Sequence, residues 1–276
     1  MTVLAAAKFN YRARIERAEL LAQRHPSAQE MLTFYVDIAR MQRECYESLP
    51  RLATNETVVP NRANPRSELN PTTLVGPFAR FLGVVEIKAP APLAEHAREW
   101  SRCNEAARSQ LLAEFWKTGL TNASSTDQLS EFLARAFLQP YAEYFQGALS
   151  PPVSGHIACR CPSCSALPLL GVLRPEGDGG KRFLQCSFCL QEWEFRRIFC
   201  ANCGEDKEQN LPVYVADQFP HVRVECCETC KHFLRTVDLT KDGHAVPPVD
   251  DLAAIPLTLW AHQNGYTRIQ NNLLGT

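Results

Sequence analysis

The stretch CSFCLQEWEFRRIFCANCG, Cys186 to Gly204, holds two cysteine pairs of identical Cys-x-x-Cys spacing with an aromatic, strand-like run between them. The fold turns on whether these two pairs grip one metal or two. A third pair, CPSC (Cys161, Cys164), comes before the stretch, and a fourth, CETC (Cys227, Cys230), comes after it.

A Cys-x-x-Cys turn folds two sulfurs to the same side, and two such turns supply the four thiolates of a tetrahedral site, with metal–sulfur distances near ~2.3 Å for zinc. Backbone N–H groups within the turn donate to the sulfurs and spread their charge. Taken in chain order, the pairs read Cys-x2-Cys-x21-Cys-x2-Cys from Cys161 to Cys189 and Cys-x2-Cys-x23-Cys-x2-Cys from Cys200 to Cys230. Both fall at or near ribbon spacing. The rival pairing joins Cys186 and Cys189 to Cys200 and Cys203 across ten residues and leaves the outer pairs to meet across sixty-two. It also discards the duplicated pattern of knuckle, strand, loop, strand, knuckle. The expectation is two metal ions per chain, one held by Cys161, Cys164, Cys186 and Cys189 and the other by Cys200, Cys203, Cys227 and Cys230. Units below ~40 residues rarely bury enough apolar surface to fold unaided, so the metals are at least structural.

Only Cys45 and Cys103 of the twelve cysteines lie in the first 150 residues, which places a domain boundary near 150. With 276 residues and 45% hydrophobic content the chain has room for about two domains at ~150 residues each. The N-terminal MTVLAAAKFNYRAR carries only five consecutive apolar residues, with Lys8 directly after them, unlike a secretory signal. No run approaches the roughly 18 to 20 apolar residues of a membrane span. A cytoplasmic protein without stable membrane insertion is expected, and there closely spaced cysteines are metal or redox sites and not disulfides.

The first half reads as helical. Tyr11 to Arg24 carries Ile15, Ala18, Leu21 and Ala22 at helical spacing and stops before Pro26. Ser27 and Glu30 form a capping-box pattern for a second helix running toward Leu49. Proline-rich loops around a short helix near Pro77 to Leu82 are expected between Pro50 and Pro92. One long amphipathic helix follows over Pro92 to Lys117, and another opens at Ser125 and is kinked or divided at Pro140. No catalytic set assembles here, and the protein is expected not to be an enzyme. His25 and His96 stand alone, and Cys45 and Cys103 suit small buried apolar positions.

The second half changes period. Leu167–Leu173, Arg182–Gln185, Glu192–Ile198, Val213–Ala216, Val222–Glu225 and Phe233–Leu239 read as short strands around cysteine turns. Phe183, Trp193 and Phe195 form the aromatic filling between them. Asp250 and Asp251 precede an amphipathic helix with Leu252, Ile255, Leu259 and Trp260, where adjacent acids usually cap the N-terminus.

The runs KRFLQCSFCLQEWEFRRIFCANCG and HVRVECCETCKHFLRTVDLTKDGHAVPPVDDLAAIPLTLWAHQNGY closely resemble the formate dehydrogenase accessory protein family (FdhE), densely from about Cys161 to Tyr266 and more loosely before it. The four cysteine pairs carry over, as do Val237–Leu239 and Val249–Ala253. Family knuckles often place glycine after the second cysteine, where φ > 0 costs nothing; here Ser165, Leu190 and Lys231 fill three of the four positions. The resemblance implies a cytoplasmic maturation factor, a chaperone that contacts the catalytic subunit of a respiratory formate dehydrogenase before export, and rubredoxin-like modules that hold iron. Four thiolates in a tetrahedron suit zinc equally well.

The expected architecture is therefore α+β: a helical domain over 1–150, a first rubredoxin-like or zinc-ribbon-like β module over 151–198, and a second over 199–276 that ends in a helix. Cys159 and Cys226 are neighbours of ligand pairs, read as non-ligating, with reactive thiols as the sharper alternative. His156, His221 and His232 could complete a mixed site, but eight cysteines already satisfy two tetrahedra. Arg196 and Arg197 are internal and line a solvated strand edge, unlike an N-terminal twin-arginine signal. A nucleic-acid ribbon needs a basic surface, whereas residues 151–276 hold twelve Lys/Arg against fourteen Asp/Glu, and each dication with four thiolates adds a further −2. The leading reading is a metal-stabilised binding adaptor; the alternatives are a thiol-redox protein acting through its Cys-x-x-Cys pairs and a zinc-ribbon module of other specificity.

Overall fold

The computed structural model describes residues 10–53, 71–118, 128–147, 158–177 and 179–275. These sort into two compact units, one built on residues 34–147 and the other on 12–33 together with 158–275. The expected signal-free N-terminus, the proline-rich segment 54–70, Ser125 and His156 lie outside the described residues.

Helix α1 (Tyr11–Arg24) has the expected bounds and sorts with the second unit. A 3-10 turn, Pro26–Ala28, leads into α2 (Gln29–Ala53), so the turn at Pro26 begins the element ahead of the anticipated capping box. The rest of the helical unit is α3 (Val75–Lys88), α4 (Ala91–Arg102), α5 (Glu105–Thr118) and α6 (Gln128–Gly147). Its centre is aromatic: the Phe137 ring lies 5.0 Å from Phe78, 5.6 Å from Phe81 and 5.5 Å from Tyr141.

Three expectations about this unit are corrected. The single helix over Pro92 to Lys117 is two, because Cys103 turns extended (ψ 151) and the Asn104 side chain accepts the Ala107 N–H at 2.9 Å, an N-cap that restarts the helix. Cys103 is consequently exposed at the break and not a buried apolar filler. Pro140, expected to divide α6, sits inside an unbroken element. A proline cannot donate to the carbonyl four residues before it, and the Gln42 side chain supplies the missing donor to Ala136 O at 2.8 Å.

The second unit contains a seven-stranded sheet: β1 (Pro168–Glu176), β2 (Gly179–Cys186), β3 (Glu192–Glu194), β4 (Val213–Val215), β5 (Val222–Cys226), β6 (His232–Asp238) and β7 (Thr267–Arg268). The order is β3-β2-β1-β6-β5-β4. Each metal module is an antiparallel three-stranded meander, and the two join where β1 runs parallel to β6 through Gly171↔Thr236, Val172↔Val237 and Leu173↔Asp238. The repeat is thus a translation along one sheet. A Cβ on Gly171 would lie 2.2 Å from Thr236 Oγ1, so the junction requires glycine at this position. Strand β7, absent from the sequence reading, takes the start of the same β6 edge at His232 and Phe233.

One face of the sheet presents Leu170, Val172, Val222, Val224, Phe233 and Val237 to a core completed by Ala254, Leu257 and Ala261. These last three come from the C-terminal segment, where the single expected helix is replaced by α7 (Pro247–Ala253) and α8 (Ile255–Gln263). Ala254 breaks the run at φ −88, ψ 35, and its carbonyl receives the buried Arg235 Nη1 at 2.6 Å. Leu259, expected on the apolar face, is 56% exposed.

Candidate metal centres

Each Cys-x-x-Cys turn is closed by the same main-chain pattern. The first cysteine's N–H donates to the carbonyl five residues on: Cys161 to Ala166, Cys186 to Gln191, Cys200 to Glu205 and Cys227 to His232, all at 2.8–2.9 Å. In three of the turns its carbonyl also accepts the N–H four residues on, from Ser165, Gly204 and Lys231. The residue after the second cysteine is left-handed in all four: Ser165 at φ 60, Leu190 at 52, Gly204 at 80 and Lys231 at 56. The absence of glycine at three positions therefore leaves the turn unchanged, and each non-glycine residue carries a cost of roughly 1–2 kcal/mol.

The turns bring the eight sequence-predicted cysteines together as two groups of four. Ligand atoms of Cys161, Cys164, Cys186 and Cys189 lie within 4.8 Å of one another, as do those of Cys200, Cys203, Cys227 and Cys230. The groups follow chain order. Sulfur–sulfur distances are 3.6 Å for Cys161–Cys189, 3.3 Å for Cys164–Cys186 and 3.6 Å for Cys164–Cys189. In the second group both Cys200–Cys230 and Cys203–Cys227 measure 3.7 Å. A tetrahedron with metal–sulfur bonds of about 2.3 Å has edges of about 3.8 Å, so both groups fit a four-thiolate ion with slight compression. Phe188 N–H points at Cys186 Sγ (3.3 Å), and Asn202 and Cys203 N–H point at Cys200 Sγ (3.4 and 3.5 Å).

Protonation also fits a cation. Hydrogen bonds from Cys161, Cys186 and Cys189 hold the Cys164 thiol well below its ordinary value, while burial pushes Cys186 well above it. Hydrogen bonding with Cys161 and Cys164 pushes Cys189 up as well. Four thiolates cannot accumulate in so small a volume without a positive ion between them.

The other candidates fall away from the sulfurs. Burial raises the Cys159 thiol, whose Sγ lies 3.9 Å from Cys200 O, and raises buried Cys226 to about 12. His232 Nδ1 is 2.7 Å from Cys230 O, and His221 Nε2 is 2.8 Å from Asp250 Oδ1. His221, Asp242 and Asp250 bring ligand atoms within 4.8 Å of one another, but the Arg17 guanidinium is already there, 2.5 Å from Asp250 Oδ1 and 2.8 Å from Asp242 Oδ2. Arg196 lies over the Phe199 ring at 4.9 Å, past the end of β3. Trp193 and Phe195 are buried and Phe183 is packed against the core, as expected.

Asp250 does serve the helix start, its Oδ2 accepting the Val246 N–H at 2.7 Å, but both Asp250 and Asp251 are in addition buried ion-pair centres. Asp251, fully buried, lies 2.8 Å from Arg235 Nε and 2.7 Å from Arg268 Nη2, and accepts from Asn272 at 3.1 Å. Arg268 Nη2 also reaches Leu169 O of β1 at 3.4 Å, so this cluster ties β6 and β7 to the first module. Burial pushes the Asp251 carboxyl up, but Arg235 and Arg268 outweigh it and hold it below its ordinary value. A signal for this lay in FLRTVD: Arg235 shares a face with Phe233 and Val237, and a charge in an apolar alternation needs a buried counter-charge. On the opposite face Arg182 of β2 meets Glu225 of β5 at 2.5 Å and donates to Arg196 O (2.7 Å) and Phe199 O (3.3 Å), fixing the segment between the modules.

Comparison with known proteins agrees with this geometry. The FdhE central-domain model matches residues 160–197 and the FdhE C-terminal-domain model residues 198–274. A "Protein FdhE homolog" from Aquifex aeolicus is 23% identical, covering 95% of this chain and 94% of its own, and one from Pseudomonas aeruginosa is 29% identical, covering 94% and 87%. The crystal structure of the FdhE protein from Pseudomonas aeruginosa superposes with a TM-score of 0.68 at 24% identity, covering 97% of this chain and 95% of that one, a shared fold.

Proposed function

Because this chain belongs to the FdhE family, we propose that it is a cytoplasmic, non-enzymatic accessory factor that binds the catalytic subunit of a respiratory formate dehydrogenase before export. The observation that carries this reading is the pair of four-cysteine groups built into one continuous sheet. Such a unit is a metal-stabilised platform, and the two spare thiols, Cys159 and Cys226, stand outside both four-cysteine groups. No described helix is long and apolar enough to cross a membrane.

Cys161, Cys164, Cys186 and Cys189 would hold one ion, and Cys200, Cys203, Cys227 and Cys230 the other. Iron is favoured by the resemblance to rubredoxin-like modules. A bound ion supplies a fixed tetrahedral crosslink, and in the case of iron a one-electron couple. The chain's own contribution is to orient the sulfurs through the knuckle N–H groups and the left-handed residue that follows the second cysteine of each turn.

The test is genetic and biochemical. Cells lacking the protein should make the catalytic subunit but oxidise little formate, and the purified protein should retain that subunit. A variant with Ser at Cys159 and Cys226 that keeps both metals should restore activity. If it binds the subunit yet fails to restore activity, a thiol reaction is required and the adaptor reading is wrong. Metal analysis with a visible spectrum separates ferric thiolate, which absorbs strongly, from silent zinc.

A further inference from the structure

The two outer strands of the sheet are guarded very differently. In β3, Phe195 N–H donates to Arg182 O, so Trp193 bonds inward to β2 and Glu192 and Glu194 turn their main chain outward. Both carry charge, in ion pairs with Arg174 (2.7 Å) and Lys181 (2.9 Å). Charge at an outer strand is the usual protection against pairing with another chain.

Strand β4 lacks it. Cys226 N–H donates to Pro212 O, and the alternation that follows turns Tyr214 toward β5 and leaves the N–H and C=O groups of Val213 and Val215 facing outward. Those valines are 51% and 64% exposed. Beside them lies a cavity of about 140 Å³ lined by Val213, Ile198, Leu234, Arg182, Arg197 and Arg223. A void of about 150 Å³ holds a benzene ring, while small-molecule sites start near ~300 Å³. This cavity is therefore the size of one apolar side chain.

Its charge is unevenly placed. Arg182 and Arg223 are matched by Glu208, Glu225 and the ligand sulfurs of Cys200 and Cys227 that also line it, whereas Arg197 has no carboxylate at ion-pair distance among the described residues. Glu225 is already shared between Arg182 (2.5 Å) and Arg223 (2.7 Å), and the buried Arg182 Nε has no hydrogen-bond partner. A second copy of the chain pairing edge to edge would set these same arginines against each other. An acidic guest does not meet that repulsion.

We propose that the outer edge of β4 binds an extended segment of the partner protein as an added strand, with one apolar side chain of that segment in the cavity and an acidic one against Arg197. The proposal rests on the accessory role above and names the surface that performs it.

The experiment uses the full-length, metal-loaded protein and purified catalytic subunit. Hydrogen exchange at the Val213 and Val215 amides should slow on adding the subunit. Val215→Pro removes one outward N–H and spares the Tyr214–Val224 ladder, so it should weaken affinity about tenfold, as should Val213→Lys. Arg197→Glu, at an exposed position off the sheet, should weaken affinity with metal content and melting unchanged, which separates docking from folding. Equal binding by all three variants overturns strand addition while the accessory role stands. Failure of the unaltered protein to bind the subunit overturns both. Protection of the two amides with rising concentration of the protein alone, together with dimer formation, assigns the edge to a second copy and overturns the proposal.

Discussion

Cys161, Cys164, Cys186 and Cys189 of the first group are all buried, whereas in the second Cys203 is exposed and Cys230 half-buried, although the same knuckle builds both. The difference comes from position in the sheet. The first group's knuckles are flanked by β1 and β2, which have neighbours on both sides; the second group's open onto the module that carries the outer strand β4. Identical local chemistry is thus sealed at one end and accessible at the other, beside the cavity and the apolar outer strand. The first group is enclosed within the sheet unit, and the second has two of its four sulfurs within reach of solvent.

The largest effect that could break this comparison is loss of a metal. Cys186→Ser should lower the metal count from two to one and unfold the first module, since structural zinc contributes about 10–16 kcal/mol to zinc-finger peptides. Cys203→Ser should also leave one ion but keep β1 and β2 folded, as read by circular dichroism and metal analysis. A chelator should empty the second group first, with Cys203 and Cys230 alkylated before Cys186. Simultaneous release from both groups would show that exposure does not distinguish them.

Next in size is the Asp251 cluster that ties the modules. Asp251→Asn leaves Arg235 and Arg268 as buried charges without their anion and should cost about 3–5 kcal/mol in denaturant unfolding. Because the folded carboxyl titrates below its unfolded value of about 3.9, its contribution is complete above that pH and is lost as pH falls through the lower folded value. The gap between wild type and Asp251→Asn should therefore narrow on acidification below about pH 4.

Gly171→Ala tests the parallel junction more gently. Its Cβ would meet Thr236 Oγ1 at 2.2 Å, and the overpacking should cost about 1–3 kcal/mol, partly recovered by adding Thr236→Ala. If one module alone melts early, the two are joined less tightly than the shared sheet suggests. The smallest change compares the knuckles themselves. Ser165→Gly should raise stability by up to about 1 kcal/mol by relieving the left-handed backbone, and Gly204→Ala should lower it by about the same. Equal and opposite shifts in melting temperature would show that the two centres share one turn.

Much of this was legible because it is local. Five of the six principal strands fell close to where β-branched and aromatic runs placed them, while the third, expected to reach Ile198, stops at Glu194 and leaves Arg196 and Arg197 off the strand; Cys-x-x-Cys spacing grouped the sulfurs, since a turn of four residues is specified by its own main chain. What was misread depended on distant partners. Pro140 was expected to interrupt α6 because the donor that compensates it, Gln42, lies 97 positions from its neighbour Gln139 in the same network. Cys103 was placed inside because Asn104 reads equally well as a helical residue or as a cap. Asp250 and Asp251 look like ordinary N-terminal acids until Arg17, Arg235 and Arg268 arrive from other elements.

The sequence by itself determined the eight sulfurs, their grouping into two sets of four, most of the strands around them and the family that the chain resembles, because each rests on spacing of a few residues or on a motif. Only the tertiary structure decided that the two modules share one sheet through parallel β1 and β6, that one centre is sealed and the other open, and that β4 is left as an unguarded edge. Those features follow from which strand lies beside which, and from where buried charges find their partners. Pairings between residues tens to hundreds of positions apart are chosen by the packing of the whole unit, and no local pattern encodes them.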